Sequence, residues 1–95
     1  MKTITITAAA WKTPGDAHRA LKEALGFPAY YGNNLDALHD CLTEMSDVCI
    51  IIEECALAAA HMPEQWGRFL RVFFDACGEN ASLDIRLVQG SGDYV

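Results

Sequence analysis

The spacing of apolar side chains changes along the chain, and each change predicts a new element. Residues 2–7, KTITIT, alternate polar and β-branched side chains, which predicts a short strand with Ile4 and Ile6 on one face. Residues 48–53, VCIIIE, form a continuous apolar run of strand length, typical of a strand that is central in a parallel sheet or covered on both faces. The alternating segment LDIRL, residues 83–87, predicts a third strand.

Helical periodicity fills the intervals between these strands. The first helix is predicted to begin after Thr13, with a capping hydroxyl, proline at the first helical position and an acid three residues after the cap, and to end at Gly26. Its apolar stripe has helical spacing: Ala17, Ala20, Leu21, Ala24 and Leu25. Residues 55–61 predict a short helix, and Pro63 opens a longer one that Gly78 is expected to close.

A further helix is predicted after Asn34, a good cap, with Gly32 and Asn33 offering the positive φ angles of a tight turn. Its apolar side comprises Leu35, Leu38, Leu42 and Met45, and its polar side comprises Asp36, His39, Asp40 and Thr43, with Glu44 at the flank. Acids four residues apart repel and weaken a helix by a few tenths of a kcal/mol per pair. Helix stability therefore does not explain why these acids are present.

Because helical material separates each strand from the next, we expect an α/β fold: a small three-stranded parallel sheet packed with about four helices. The order of the strands is not determined by this pattern. The length predicts a single domain over residues 1–95, with a flexible tail at about 89–95.

The charge balance narrows the range of partners. Seven basic residues against 13 acidic ones give a net charge of −6, which disfavours direct nucleic-acid binding and favours a basic protein partner. The four cysteines show no CxxC pair, so we expect buried, inert thiols in a reduced, cytoplasmic protein. No apolar run approaches the roughly 20 residues of a membrane span, and neither a nucleotide-binding motif nor a metal-binding histidine spacing occurs. We therefore expect no membrane association, cofactor or metal.

Three interpretations of the acidic face remain open. Asp36 and Asp40, with His39 beside them, could form an acid/base pair, but a convex helix face lacks the enclosing walls that such chemistry needs. The acids could simply be a solvated surface. Alternatively, with Tyr30 and Asn34 beside them, they could form a recognition helix whose carboxylates imitate phosphates in the basic active site of a ribonuclease.

Residues 20–44, ALKEALGFPAYYGNNLDALHDCLTE, closely resemble the barstar family of ribonuclease inhibitors, and a looser similarity covers residues 2–88. The resemblance implies the α/β fold expected above and a non-enzymatic, cytoplasmic inhibitor. Such a protein would be a monomer when free, and would bind and occlude a basic, barnase-like extracellular ribonuclease. The alternatives are an interaction protein that uses this scaffold for a partner other than a ribonuclease and a small carboxylate-based enzyme.

In that family the second helix and the loop before it enter the catalytic cleft of the ribonuclease. The resemblance implies that Asp40 takes the place of a substrate phosphate. The other implied partner-binding positions are Tyr30, Gly32, Asn34, Leu35, Asp36, His39, Thr43, Glu44 and Asp75. His39, Glu44 and Met45 depart from the best-known member, which has tryptophan, glycine and tryptophan there, so we expect a different cognate ribonuclease. His39 also predicts a response of binding to pH between about 5 and 8.

Overall fold

The computed structural model describes residues 1–90 and contains three strands and four helices. In chain order they are β1 (Lys2–Thr7), α1 (Pro14–Leu25), α2 (Leu35–Thr43), β2 (Val48–Glu53), α3 (Cys55–His61), α4 (Pro63–Glu79) and β3 (Leu83–Leu87). The strands form one parallel sheet in the order β1-β2-β3. The predicted α/β architecture is confirmed.

The register of the sheet separates an apolar face from a polar one. Ile4, Ile50 and Ile85 are aligned across the three strands and belong to the face that packs against the helices. Thr5 and Arg86, aligned on either side of Ile51, belong to the opposite face and are exposed. Of the two predicted environments for β2, the central position is therefore the one observed.

Local signals set the ends of α1 as predicted. Thr13 and Asp16 form a capping box, in which the threonine hydroxyl accepts from the Asp16 N–H and the Asp16 carboxylate accepts from the Thr13 N–H. Gly26 ends the helix in the left-handed region at φ 69°. Local capping signals therefore mark both ends of α1.

The end of α4 differs from the prediction, because the helix runs through Gly78 to Glu79. Asn80 ends it with extended backbone, and its side-chain amide donates to the carbonyls of Leu42 and Met45, at 3.1 and 2.7 Å. Two tertiary hydrogen bonds, which no local pattern reveals, therefore tie the end of α4 to the carboxyl end of α2.

The segment after β3 is held as far as Gly90, beyond the predicted start of the tail. The carbonyls of Val88, Gln89 and Gly90 accept from the first N–H groups of α3 and its cap, at 2.8 to 3.2 Å. These N–H groups have no side-chain cap, because Glu54 adopts a left-handed conformation and contributes no capping bond. The expectation for residues 91–95 lies outside the described residues.

One hydrophobic cluster joins the sheet to all four helices. Its largest fully buried side chains are Trp11, Phe69, Leu21, Leu38, Leu42, Ile50, Ile52 and Met62.

All four cysteines are free, but only Cys49 and Cys55 are buried, whereas Cys41 and Cys77 are half-buried. The prediction of four buried thiols is thus wrong for two of them. Burial nevertheless raises the pKa of Cys41, Cys55 and Cys77, which keeps these thiols protonated and unreactive. Across residues 1–90, no helix is long and apolar enough to cross a membrane.

Candidate protein-binding site

The acidic helix α2 is fixed by its cap and by its buried side. Asn34 has extended backbone, and its side-chain oxygen accepts the Ala37 N–H at 2.8 Å. Leu38 and Leu42 are buried on the core side, and Leu35 is half-buried there. The helical repeat then turns Asp36 and Asp40 outward. The side chain of Asp40 is 80% exposed.

The loop before α2 is tightly folded. Only Asn33 adopts a positive φ, of 51°, so the predicted positive φ at Gly32 is wrong. A Cβ added at Gly32 would lie 2.8 Å from the side-chain nitrogen of Asn34, so the Asn34 amide would have to shift to accommodate a larger residue. That nitrogen donates to the Gly32 carbonyl at 3.3 Å. The side-chain nitrogen of Asn34 therefore holds the loop, and its side-chain oxygen caps the helix.

A buried hydrogen bond holds the same loop against the core. His18 Nδ1 lies 2.6 Å from the Tyr31 hydroxyl, and the imidazole also packs on Phe69, with ring centroids 5.1 Å apart. Burial lowers the pKa of His18 and raises that of Tyr31. This hydrogen bond therefore joins a neutral imidazole to an intact hydroxyl. Tyr30, the preceding residue in the loop, points away and is 88% exposed.

A small hollow separates the loop from α2. Its volume is about 230 Å³, below the range of roughly 300 to 1,000 Å³ typical of small-molecule sites. Asp40 and Glu44 lie on one side of it, and Tyr30 and Gly32 on the other. A cleft of this size suits one inserted side chain. It does not enclose the exposed Asp40 as a catalytic site would.

His39 links α2 to the end of α4. Its Nε2 lies 2.5 Å from a carboxylate oxygen of Glu79, and its Nδ1 lies 3.8 Å from Asp40. The hydrogen bond to Glu79, followed by the charges of Glu79 and Asp40, raises the pKa of His39. The imidazole thus lies between two carboxylates, and both favour its positively charged form.

Comparison with known proteins decides the family. Residues 1–89 match the model of the family described as "Barstar (barnase inhibitor)". The chain belongs to the barstar family. One similar protein is "Putative ribonuclease inhibitor YrdF" of Bacillus subtilis (strain 168), which is 61% identical over 31 residues. That match covers 33% of this chain and 34% of the relative, so the two are alike over about a third of their lengths.

The three departures from the best-known barstar occupy different environments. His39 is half-buried in the contact just described, and Glu44 is exposed at the carboxyl cap of α2. Met45 was predicted on the apolar side of the helix but lies beyond its end, where it still packs against the core. Of the three departures, only His39 and Glu44 therefore change the charge of the exposed surface.

Thr43, another of the predicted partner-binding residues, bonds within α2: its hydroxyl donates to the Asp40 carbonyl at 2.9 Å.

Asp75, the most distant in sequence of the predicted partner-binding residues, forms its ion pair within α4. Its carboxylate lies 3.9 Å from Arg71 on the outer side of α4. Glu79, one turn later, makes the contact with α2 instead, and was missed by sequence reasoning although Asp75 and Glu79 share a helix face at i, i+4 spacing. Asn80 and the His18–Tyr31 pair were also missed, because each acts through a partner distant in sequence.

The exposed acids have few counter-charges. Among the salt bridges of residues 1–90, Asp36 and Glu44 appear in none, and Asp40 pairs only with His39. The same residues contain no cluster of three or more His, Cys, Asp or Glu side chains able to hold a metal ion. The arrangement is a negatively charged, protruding surface with a shallow hollow beside it.

Proposed function

We propose that this protein inhibits a basic, barnase-like ribonuclease stoichiometrically, by inserting α2 and the loop before it into the active site. Membership of the barstar family supports an inhibitor of this kind, and the name of the Bacillus subtilis relative agrees with it. The observation that carries the proposal is the outward stripe of Asp36, Asp40 and Glu44, which have no lysine or arginine partner in the described part of the chain.

The chemistry follows from what a ribonuclease active site binds. Cationic side chains there hold the phosphates of RNA, and arginine pairs with a carboxylate through two parallel hydrogen bonds. Asp40, central in the stripe and beside the hollow, is our candidate for the position of a phosphate. The hollow between Tyr30 and Asp40 would accept one side chain of the partner. Inhibition by this route needs no reaction on the inhibitor's side.

The surface is organised before it binds. The Asn34 cap fixes the start of α2, Asn80 holds its carboxyl end, and the His18–Tyr31 bond holds the loop. A surface that is already ordered loses less conformational entropy on association, so more of the contact energy appears as affinity. The four free thiols also agree with action in the reducing cytoplasm of the producing cell.

Titration of RNA cleavage tests the proposal. Barnase and a panel of other basic microbial ribonucleases would be mixed with increasing amounts of the protein, and the residual cleavage rate measured. We expect at least one ribonuclease to lose activity linearly up to a 1:1 molar ratio. If the whole panel retains its activity, the proposal fails in favour of a partner of another kind. Hydrolysis of RNA or another substrate by the protein itself would favour the enzymatic alternative.

Electrostatic attraction sets a second expectation. The net charge of −6 and the unpaired stripe should draw a basic partner from a distance, so the association rate should fall steeply as NaCl rises from about 10 mM to 0.5 M, as the Debye length shortens from ~30 Å to a few Å. Stopped-flow fluorescence measures this rate. An association rate independent of salt would contradict recognition by the acidic stripe.

A further inference from the structure

The outer edge of β3 carries unpaired backbone groups. The Val48 N–H donates to the Ser82 carbonyl at 3.0 Å and the Val88 N–H to the Ile52 carbonyl at 2.8 Å, so even-numbered residues of β3 turn their backbone groups toward β2. Ile85 and Leu87 therefore direct theirs outward. Within residues 1–90 no strand pairs with this edge. The Ile85 N–H is directed at the Cys77 thiol, which is a weak acceptor, and no backbone carbonyl of residues 1–90 accepts from it.

An apolar groove runs along the same edge. It lies between α4 and β3, has a volume of about 690 Å³, and is lined mainly by Leu70, Phe74, Cys77, Ile85 and Leu87. Phe74 is 80% exposed and Leu87 is 43% exposed. An apolar groove beside an unpaired strand edge is the combination that proteins use to receive another strand.

The charges on β3 indicate which strand could pair with this edge. Asp84 and Arg86 flank Ile85 on the polar face of the sheet, where they are 3.0 Å apart. If a second β3 is placed antiparallel and centred on Ile85, Arg86 of each copy lies opposite Asp84 of the other. Leu87 then lies opposite Leu83 on the apolar face. The strand is complementary to itself in both charge and hydrophobicity.

We propose that, unlike the monomer implied by the family resemblance, two copies of this chain associate through β3, antiparallel, about a two-fold axis that is perpendicular to the sheet and passes between the two Ile85 residues. The two sheets become one of six strands, and both α4 helices lie on the same face of it. Phe74 of each copy then covers the groove of the other. In the dimer each Arg86 pairs with Asp84 of the other copy in place of Asp84 of its own. The number of ion pairs is unchanged, so these pairs fix the register of the dimer more than its affinity.

This dimer leaves most of the acidic surface free. Phe74 and Glu79 project from different flanks of α4, as the 100° per residue of a helix requires, and Glu79 contacts His39 of α2. Asp36, Asp40 and Glu44 belong to α2 and its cap, away from the groove. The inference stands on the β3 edge and the groove beside it, and of the predicted partner-binding residues the groove is lined by Asp75 alone.

Sedimentation equilibrium over a range of concentrations tests the dimer directly. We expect the apparent mass to rise from the 10.4 kDa of one chain toward twice that value. Arg86→Asp places like charges opposite each other and should weaken association at least tenfold. The double exchange Asp84→Arg with Arg86→Asp keeps composition and net charge, restores opposite charges across the axis, and should restore the dimer.

Phe74→Gln provides a second variant whose fold is not at risk, because the ring is already exposed. It should also weaken association at least tenfold while thermal unfolding of the monomer is unchanged. A mass of one chain at every concentration up to about 1 mM would overturn the proposal and leave the groove to a strand of another protein. A dimer that neither Arg86→Asp nor Phe74→Gln weakens would overturn it as well, because association would then use another surface.

Discussion

Two histidines fix the two sides of the candidate site, and their surroundings shift the two pKa values in opposite directions. His18 is buried against Phe69 and holds the loop through the Tyr31 hydroxyl, and its burial lowers its pKa. His39 lies at the surface between Glu79 and Asp40, and the hydrogen bond to Glu79 raises its pKa. The surroundings of His18 favour its neutral form, and those of His39 favour its charged form.

The difference shows how surroundings assign a role to a side chain whose ordinary pKa lies near neutrality. Desolvation by apolar rings favours the neutral form, and neighbouring carboxylates favour the charged form. The loop side of the site should therefore be sensitive to acid, whereas the contact between α2 and α4 should be sensitive to base. Each prediction below tests one side of this contrast.

The largest expected effect is on the buried side. Tyr31→Phe removes the hydroxyl and leaves His18 Nδ1 buried without its partner, which should lower the free energy of unfolding by about 1–3 kcal/mol. Tyr30→Phe is the matched control, because that ring is exposed and its loss of a hydroxyl should change stability by less than about 0.5 kcal/mol. Urea unfolding measures both. Equal effects would show that the buried hydrogen bond does not anchor the loop.

A smaller effect is expected where the loop joins α2. Asn34→Ala removes the oxygen that caps the Ala37 N–H and should cost about 1 kcal/mol of unfolding free energy. Asn34→Asp keeps an acceptor at the helix start and should recover most of that loss. If the alanine variant is as stable as the wild type, tertiary packing, not the cap, sets the start of α2.

The acid sensitivity of the buried side has a defined sign. Because the folded pKa of His18 lies below the unfolded value of about 6.5, the unfolded chain binds more protons, and His18 should reduce stability as pH falls below 6.5. The difference in unfolding free energy between wild type and His18→Gln should therefore shrink toward acid. A difference that is constant from pH 7 to pH 5 would mean that His18 does not titrate as a buried neutral group.

His39 should show the reverse dependence, and the smallest effect. Its folded pKa is raised, so its stabilisation should be complete below about pH 6.5 and lost as pH rises through the folded pKa. Nuclear magnetic resonance titration of the imidazole should show a lower pKa in Glu79→Gln than in the wild type. An unchanged pKa would mean that the contact between His39 and Glu79 is not formed in solution.

The same group should affect recognition. Protonated His39 neutralises part of the charge of Asp40 and Glu79, so we expect a basic partner to bind more weakly at pH 5.5 than at pH 8. His39→Gln should flatten that dependence when the dissociation constant is measured across the range. If wild type and variant give identical pH profiles, His39 has no part in the pH response.

Periodicity and local capping signals predicted the strands, the helices and the outward direction of Asp36 and Asp40, because each is determined by residues close in sequence. The His18–Tyr31 bond, the Asn80 bonds to α2 and the contact between His39 and Glu79 were not predictable from the same signals. These contacts join residues 13 to 40 positions apart, and only the packing of α1, α2 and α4 brings them together. The outward acids could be predicted from the sequence, but the groups that hold α2 and its loop in place could not.

The most direct test of the account is the affinity of Asp40→Ala for a ribonuclease that the wild type inhibits. Glu64→Gln is the control, because Glu64 is an exposed carboxylate at the opposite end of α4 from Glu79. We expect the dissociation constant to rise about 30-fold or more for Asp40→Ala, as for a residue worth at least about 2 kcal/mol, and to stay within a factor of about two for Glu64→Gln. Equal affinities of both variants and the wild type would contradict the assignment of Asp40 as the centre of the binding surface.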